Sequence, residues 1–198
     1  MVMQLDHLVV GAATLDEGVA WCERVLGLSP APGGSHALMG THNRLLNISS
    51  AAHPRCYLEI IAIDPLAPGP VGRARWFDLD QPALQQALRE QGPGLIHWVA
   101  RVAQMDAALA QMRSEGVDAG EPVAAQRGDL RWRIALRQDG RRLRREGLPT
   151  LIEWAAGGPH PADQLPVSGI SLQRFEARDG LNAWLDTPRG EVQLSLLA

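Results

Sequence analysis

One repeat limits what this chain can fold into more than any other feature. LDHLVVGAATLDEGVAWCERVLGL (5–28) and LIHWVARVAQMDAALAQMRSEGV (95–117) each carry a histidine third in a strand-like run. In each, an aspartate nine residues later opens a helical pattern: His7 leads to Asp16, and His97 to Asp106. Thr14 and Glu17 make a capping box, after which Val19, Cys22, Val25 and Leu26 recur at helical spacing until Gly27 stops the run. In the second copy Met105, Leu109 and Met112 form the apolar stripe and Gly116 ends it. A supersecondary unit that occurs twice predicts two modules sharing one core.

Each copy continues with three more strands. The first pair is expected at Ser35 to Gly40 and Asn43 to Ile48, and its counterpart at Val123 to Gln126 and Leu130 to Arg137, where apolar residues alternate with arginines. Both copies then reach a short apolar run holding one glutamate, CYLEIIAID (56–64) with Glu59 and PTLIEWAAG (149–157) with Glu153. Each copy therefore reads βαβββ, giving a first module over 1–64 and a second over 95–162. Between them, 65–94 is a proline- and glycine-rich crossover with one helix, about Pro82 to Gln91. The remainder, 163–198, reads as a short βαβ-like extension with a helical or turn segment near Asn182 to Leu185.

Strand residues two apart share a face, so His7 lies with Leu5 and Val9, and Glu59 with Tyr57 and Ile61. His97 lies with Leu95 and Val99, and Glu153 with Leu151 and Ala155. An ionised carboxylate in such surroundings must be paired, protonated or bound to metal. Two imidazoles and two carboxylates from equivalent positions suit a divalent ion such as nickel, zinc, cobalt, manganese or iron, with room left for a ligand bearing two neighbouring oxygens. The same residues would equally serve as histidine–glutamate pairs closed within each module, with no metal.

Composition removes other chemistries. The chain has no lysine, which excludes Schiff-base and pyridoxal phosphate chemistry and a Walker-type phosphate loop. Neither GxGxxG nor GxSxG occurs. The net charge of −3 gives no basic field for nucleic acid or anionic membrane. The five arginines of RQDGRRLRREG (137–147) are interleaved with Asp139, Glu146 and two glycines, and read as a solvated hairpin. No apolar run is long enough to span a bilayer and no secretion signal is evident, so a cytoplasmic location is expected. Cys22 and Cys56 lack CxxC spacing and read as buried small residues, while His42, His53 and His160 fall in loop-like contexts and read as solvated.

The paired βαβββ pattern, with histidine on the first strand and glutamate on the last, resembles the vicinal oxygen chelate superfamily of glyoxalase I, extradiol dioxygenases and bleomycin-resistance proteins. More narrowly, LDHLVV, GGSHALMGTHNRLLNI with YLEIIAID, LRWRIA and PTLIEWAAG resemble the bacterial glyoxalase-like domain family. The resemblance implies an α+β fold in which the two modules form a curved, partly open mixed sheet around a central pocket. It implies metal ligands at His7, Glu59, His97 and Glu153, with Glu153 or Glu59 as the base, and substrate contacts at His36, Asn43 and Trp132. The expected activity is that of a metal-dependent lyase or isomerase, acting on a small α-hydroxycarbonyl compound or its thiol adduct through an enediolate. A non-catalytic small-molecule binding or resistance protein and an iron(II) dioxygenase are the alternatives. Two modules in one chain make a self-contained site possible and leave room for a homodimer.

Overall fold

The structure is a computed structural model describing residues 3–143, 147–178 and 180–197. The first module runs β1 (Gln4–Gly11), α1 (Leu15–Val25), β2 (Ala31–His36), β3 (Thr41–Asn47) and β4 (Tyr57–Ile63). After α2 (Pro82–Gln91), the second repeats that order as β5 (Gly94–Arg101), α3 (Met105–Ser114), β6 (Glu121–Arg127), β7 (Leu130–Leu136) and β8 (Thr150–Trp154). The eight strands form one sheet ordered β2-β3-β4-β1-β5-β8-β7-β6, curled into an open half-barrel. β1 and β5 meet antiparallel at its centre, and each runs parallel to the last strand of its own module.

Local sequence accounts for most of these elements. Thr14 accepts the Glu17 N–H at 3.2 Å, as the capping box requires, and α1 buries Leu15, Trp21 and Cys22. β2 begins earlier than its sequence suggests, at Ala31, and Gly33 lets it run tight against Asn43 of β3. The chain then turns over 37–40.

The two faces of the sheet have different tasks. Leu8, Val10, Leu58 and Ile60 pack outward against α1 and the C-terminal strands, while Ala100 and Leu151 pack against Met105, Leu109 and Met112 of α3. Val9, Ile61, Val99, Ile134 and Ile152 point inward, where the crossover covers them with Trp76, Phe77, Leu84 and Leu88. Phe77 and Asp78 sit at φ 58° and 63°, a left-handed conformation that is costly for the bulky Phe77 and better tolerated by aspartate. Asp78 is anchored there by the Arg142 backbone N–H and Nε, both at 2.9 Å. The arginine-rich segment is thus not wholly a solvated hairpin: Arg142 is buried beside Asp78, and residues 144–146 lie outside the described residues.

The C-terminal extension differs from the expected βαβ-like piece. After a short α4 (Pro161–Gln164), β9 (Ser171–Glu176), β10 (Asn182–Thr187) and β11 (Gly190–Ser195) form a three-stranded antiparallel sheet. The segment read as helical or turn is strand β10, because Ala183 and Leu185 alternate with Trp184 and Asp186 and only the former face the core. Among the described residues no helix is long and apolar enough to cross a membrane.

Candidate functional site

Glu59 is the chemical centre of the concave face. Register places it opposite Val9 on β1 and Leu45 on β3, so its side chain enters the half-barrel among apolar neighbours and is only 6% exposed. Its Oε1 accepts the Asn43 amide at 2.6 Å, and its Oε2 stands 3.7 Å from His7 Nε2. His36 Nε2 is 3.9 Å from Oε1. The cavity is small, about 30 Å³, and Tyr57, Trp76, Phe77, Trp132 and Trp154 supply aromatic walls. An outer cleft of about 450 Å³ shares His36, Trp76 and Trp132 with it.

Hydrogen bonding fixes the orientation of each polar group. Asn43 Oδ1 accepts the Gly34 N–H at 2.9 Å and Arg127 at 3.1 Å, which turns the amide nitrogen toward Glu59 and toward His36 Nε2 at 3.3 Å. His36 Nε2 thus faces donors from Asn43 and, at 3.5 Å, Arg127, while Nδ1 lies 3.1 Å from the Thr41 hydroxyl. This pattern defines a neutral ring whose proton sits on Nδ1. Burial holds His36 in that state, drawing its pKa down to about 4 against the opposing pull of Glu59.

Asp6 supports His7 from behind. The β1–β5 register slips between Leu5 and His7, and the bulge lets consecutive residues reach the same network. The fully buried Asp6 carboxylate accepts His7 Nδ1 at 2.7 Å, Trp154 Nε1 at 2.9 Å and His160 Nε2 at 3.0 Å. Burial opposes its charge, but the hydrogen bonds from His160 and His7 win and hold it well below the usual carboxylate range. His160 is therefore not solvated as its sequence context suggests: it is buried, and its Nδ1 accepts the Ala162 N–H at the start of α4.

The four expected metal ligands do not converge. His7 and Glu59 come together, but Glu153 projects from the opposite face of the sheet. There it accepts the Met105 N–H at 3.0 Å, capping α3, and pairs with Arg133 at 2.6 Å. The reason is register: Glu59 lies opposite Val9, whereas the residue opposite Val99 is Thr150. Thr150 is thus the counterpart of Glu59, and Glu153, three residues further along the strand, falls on the other face. His97 is tied to that counterpart, with Nε2 accepting the Thr150 N–H at 3.1 Å and lying 3.0 Å from its hydroxyl. Burial, reinforced by the Arg142 charge, draws His97 down to about 3, and the ring packs against Phe77 outside the Glu59 cavity.

The donor set does not fit the expected metal ion. Glu59 Oε1 and His36 Nε2 are engaged by Asn43, and the Arg127 guanidinium already brings positive charge to the cavity. Among the described residues no group of three or more His, Cys, Asp and Glu side chains is placed to hold a metal.

Asp6, Tyr57, Arg127 and His160 are the residues of the site and its supporting network whose part sequence reasoning missed. Only Asp6 carried a signal, as an ionisable residue beside His7 at the head of an apolar strand.

The family described as Glyoxalase-like domain matches residues 5–181, and the chain belongs to that family. No curated protein matches the sequence. Among solved structures, a hypothetical protein from Staphylococcus aureus shares the fold at TM-score 0.59 and 15% identity, over 99% of this chain and 89% of that one. Methylmalonyl-CoA epimerase from Mycobacterium tuberculosis aligns at TM-score 0.44 and 19% identity, over 76% of this chain and 86% of its own.

Proposed function

We propose that this protein is a glyoxalase-like lyase or isomerase that moves a proton between neighbouring carbons of a small α-hydroxycarbonyl compound or its thiol adduct, with Glu59 as the base. The observation that carries this reading is the buried Glu59 carboxylate, aimed into an aromatic cavity between His7 and His36. Glu59 would take the proton from the hydroxyl-bearing carbon, the C–H electrons would form the C=C bond of an enediolate as the carbonyl π pair moves onto its oxygen, and the same carboxyl would return the proton to the former carbonyl carbon while the hydroxyl proton passes to the former carbonyl oxygen. His7, steadied by Asp6, faces the carboxylate through the exchange. His36, whose Nε2 is taken up by the Asn43 amide, lines the cavity as a neutral polar wall beside the substrate. Asn43 has its amide oxygen and nitrogen both engaged, so its part is to position Glu59, and Trp132 provides an apolar wall. These residues do not fit the ion of the expected metal-dependent route, and the proton transfer is assigned to Glu59 alone.

A non-catalytic binding role is the second reading, favoured by the aromatic walls shared between cavity and cleft. The two separate in heavy water. The enzyme reading predicts deuterium uptake at the hydroxyl-bearing carbon of hydroxyacetone or of a methylglyoxal hemithioacetal. Binding without exchange supports the second reading. Metal content of the same preparations is expected well below one equivalent.

A further inference from the structure

We infer that Arg127 is an anchor for a substrate carboxylate, so that the α-hydroxycarbonyl compound this site takes is an acid. The inference rests on the reading of Glu59 given above. Arg127 ends β6 and lines the same cavity as Glu59 and His36. Its Nη1 donates to Asn43 Oδ1 at 3.1 Å and lies 3.5 Å from His36 Nε2, and both partners are neutral. Among the described residues no carboxylate pairs with it, although a guanidinium offers five donors. Three arginines elsewhere in the chain do meet carboxylates: Arg133 meets Glu153 and Asp106, Arg137 meets Asp118 and Asp139, and the buried Arg142 meets Asp78. A guanidinium left in a cavity with only neutral partners is a prepared receptor for an anion, and its planar fork suits a carboxylate best.

The backbone holds the group in place. A Cβ on Gly34 would come within 2.6 Å of Arg127 Cδ, so the glycine leaves the space that the arginine stem occupies. Asn43 sets the spacing, with Arg127 on its oxygen and Glu59 on its nitrogen. A ligand whose carboxylate lies on Arg127 would therefore present a carbon a few bonds away to Glu59, across about the width of one carboxamide.

Hydroxypyruvate and hydroxyacetone test this, since they differ only in a carboxylate for a methyl. Binding of each to the full chain would be measured by calorimetry, with hydroxymethyl exchange followed by NMR in heavy water. The wild type is expected to prefer hydroxypyruvate by about 10-fold or more, Arg127→Gln to lose that preference, and Arg127→Lys to keep part of it. A purely structural arginine would weaken both probes alike. Equal affinity for the two probes, failure to bind hydroxypyruvate, or an Arg127→Gln protein that keeps the preference would overturn the inference. A preference that Arg127→Gln abolishes, without any exchange, would support the anchor while counting against Glu59 as base.

Discussion

Asn43 joins its amide nitrogen to Glu59 Oε1 at 2.6 Å, a residue on β3 holding a residue on β4 in one orientation. The bond is charge-assisted and buried, the combination in which a single hydrogen bond does most to fix a side chain. Replacing the donor with an acceptor should therefore disturb the base directly. Asn43→Asp puts two carboxylates at hydrogen-bond distance, and the pair would hold a shared proton at neutral pH. Exchange activity is expected to fall by about 100-fold and to recover as pH is raised, which a pH–rate profile would read. An unchanged profile would mean that Glu59 is not the base.

Asp6 is the most heavily used acceptor in the site, taking hydrogen bonds from His7, Trp154 and His160 while fully buried. Asp6→Asn sets an amide NH2 against N–H donors. A loss of about 1–3 kcal/mol is expected in denaturant unfolding, with a changed His7 tautomer in ring-nitrogen NMR. Wild-type stability with an unmoved His7 would show the network to be dispensable.

Stability should fall on mild acidification. His36 and His97 are drawn down to about 4 and about 3, chiefly by burial, while histidines of the unfolded chain titrate near their ordinary 6.5. Between those values the unfolded state binds more protons, so their contribution is complete above about pH 6.5 and declines as pH drops toward the folded values. The slope is up to about 1.4 kcal/mol per pH unit for each histidine. Asp6, also depressed in the fold, adds a loss in the same direction at lower pH. Urea unfolding from pH 7.5 to 5 checks this, and His97→Asn should flatten the slope by about one proton. A flat profile in the wild type would contradict the burial argument.

Gly33 lies where β2 crosses Asn43. A Cβ there would stand 2.4 Å from the Asn43 carbonyl oxygen, a backbone atom that cannot rotate aside. Gly33→Ala is expected to cost about 1–3 kcal/mol in thermal or chemical unfolding and to lower exchange with it, because β2 must move away from β3. A variant as stable and active as wild type would show that β2 shifts freely.

Sequence periodicity made the two modules legible, down to the capping of α1 by Thr14 and the span of α2. It located His7 and Glu59 because both lie on strands whose partners are close in register. It failed for Glu153 for one physical reason: which face a strand residue occupies depends on odd or even counting from its neighbour, and a connecting loop hides that count. The 52-residue and 56-residue separations look alike, yet the Val99–Thr150 pairing sends Glu153 to α3. Asp6 escaped because its turn inward needs a bulge that only the β1–β5 pairing reveals. His160 escaped because its partner is 154 residues earlier in the chain.

The most direct test compares Glu59→Gln with Glu153→Gln for deuterium uptake into hydroxyacetone and hydroxypyruvate, alongside the wild type. Glu59→Gln is expected to lose exchange by at least about 100-fold while Glu153→Gln, altered only at the far face of the sheet, keeps it. Exchange that survives in Glu59→Gln, or that disappears in Glu153→Gln with the fold intact, would contradict the assignment of Glu59 as the base.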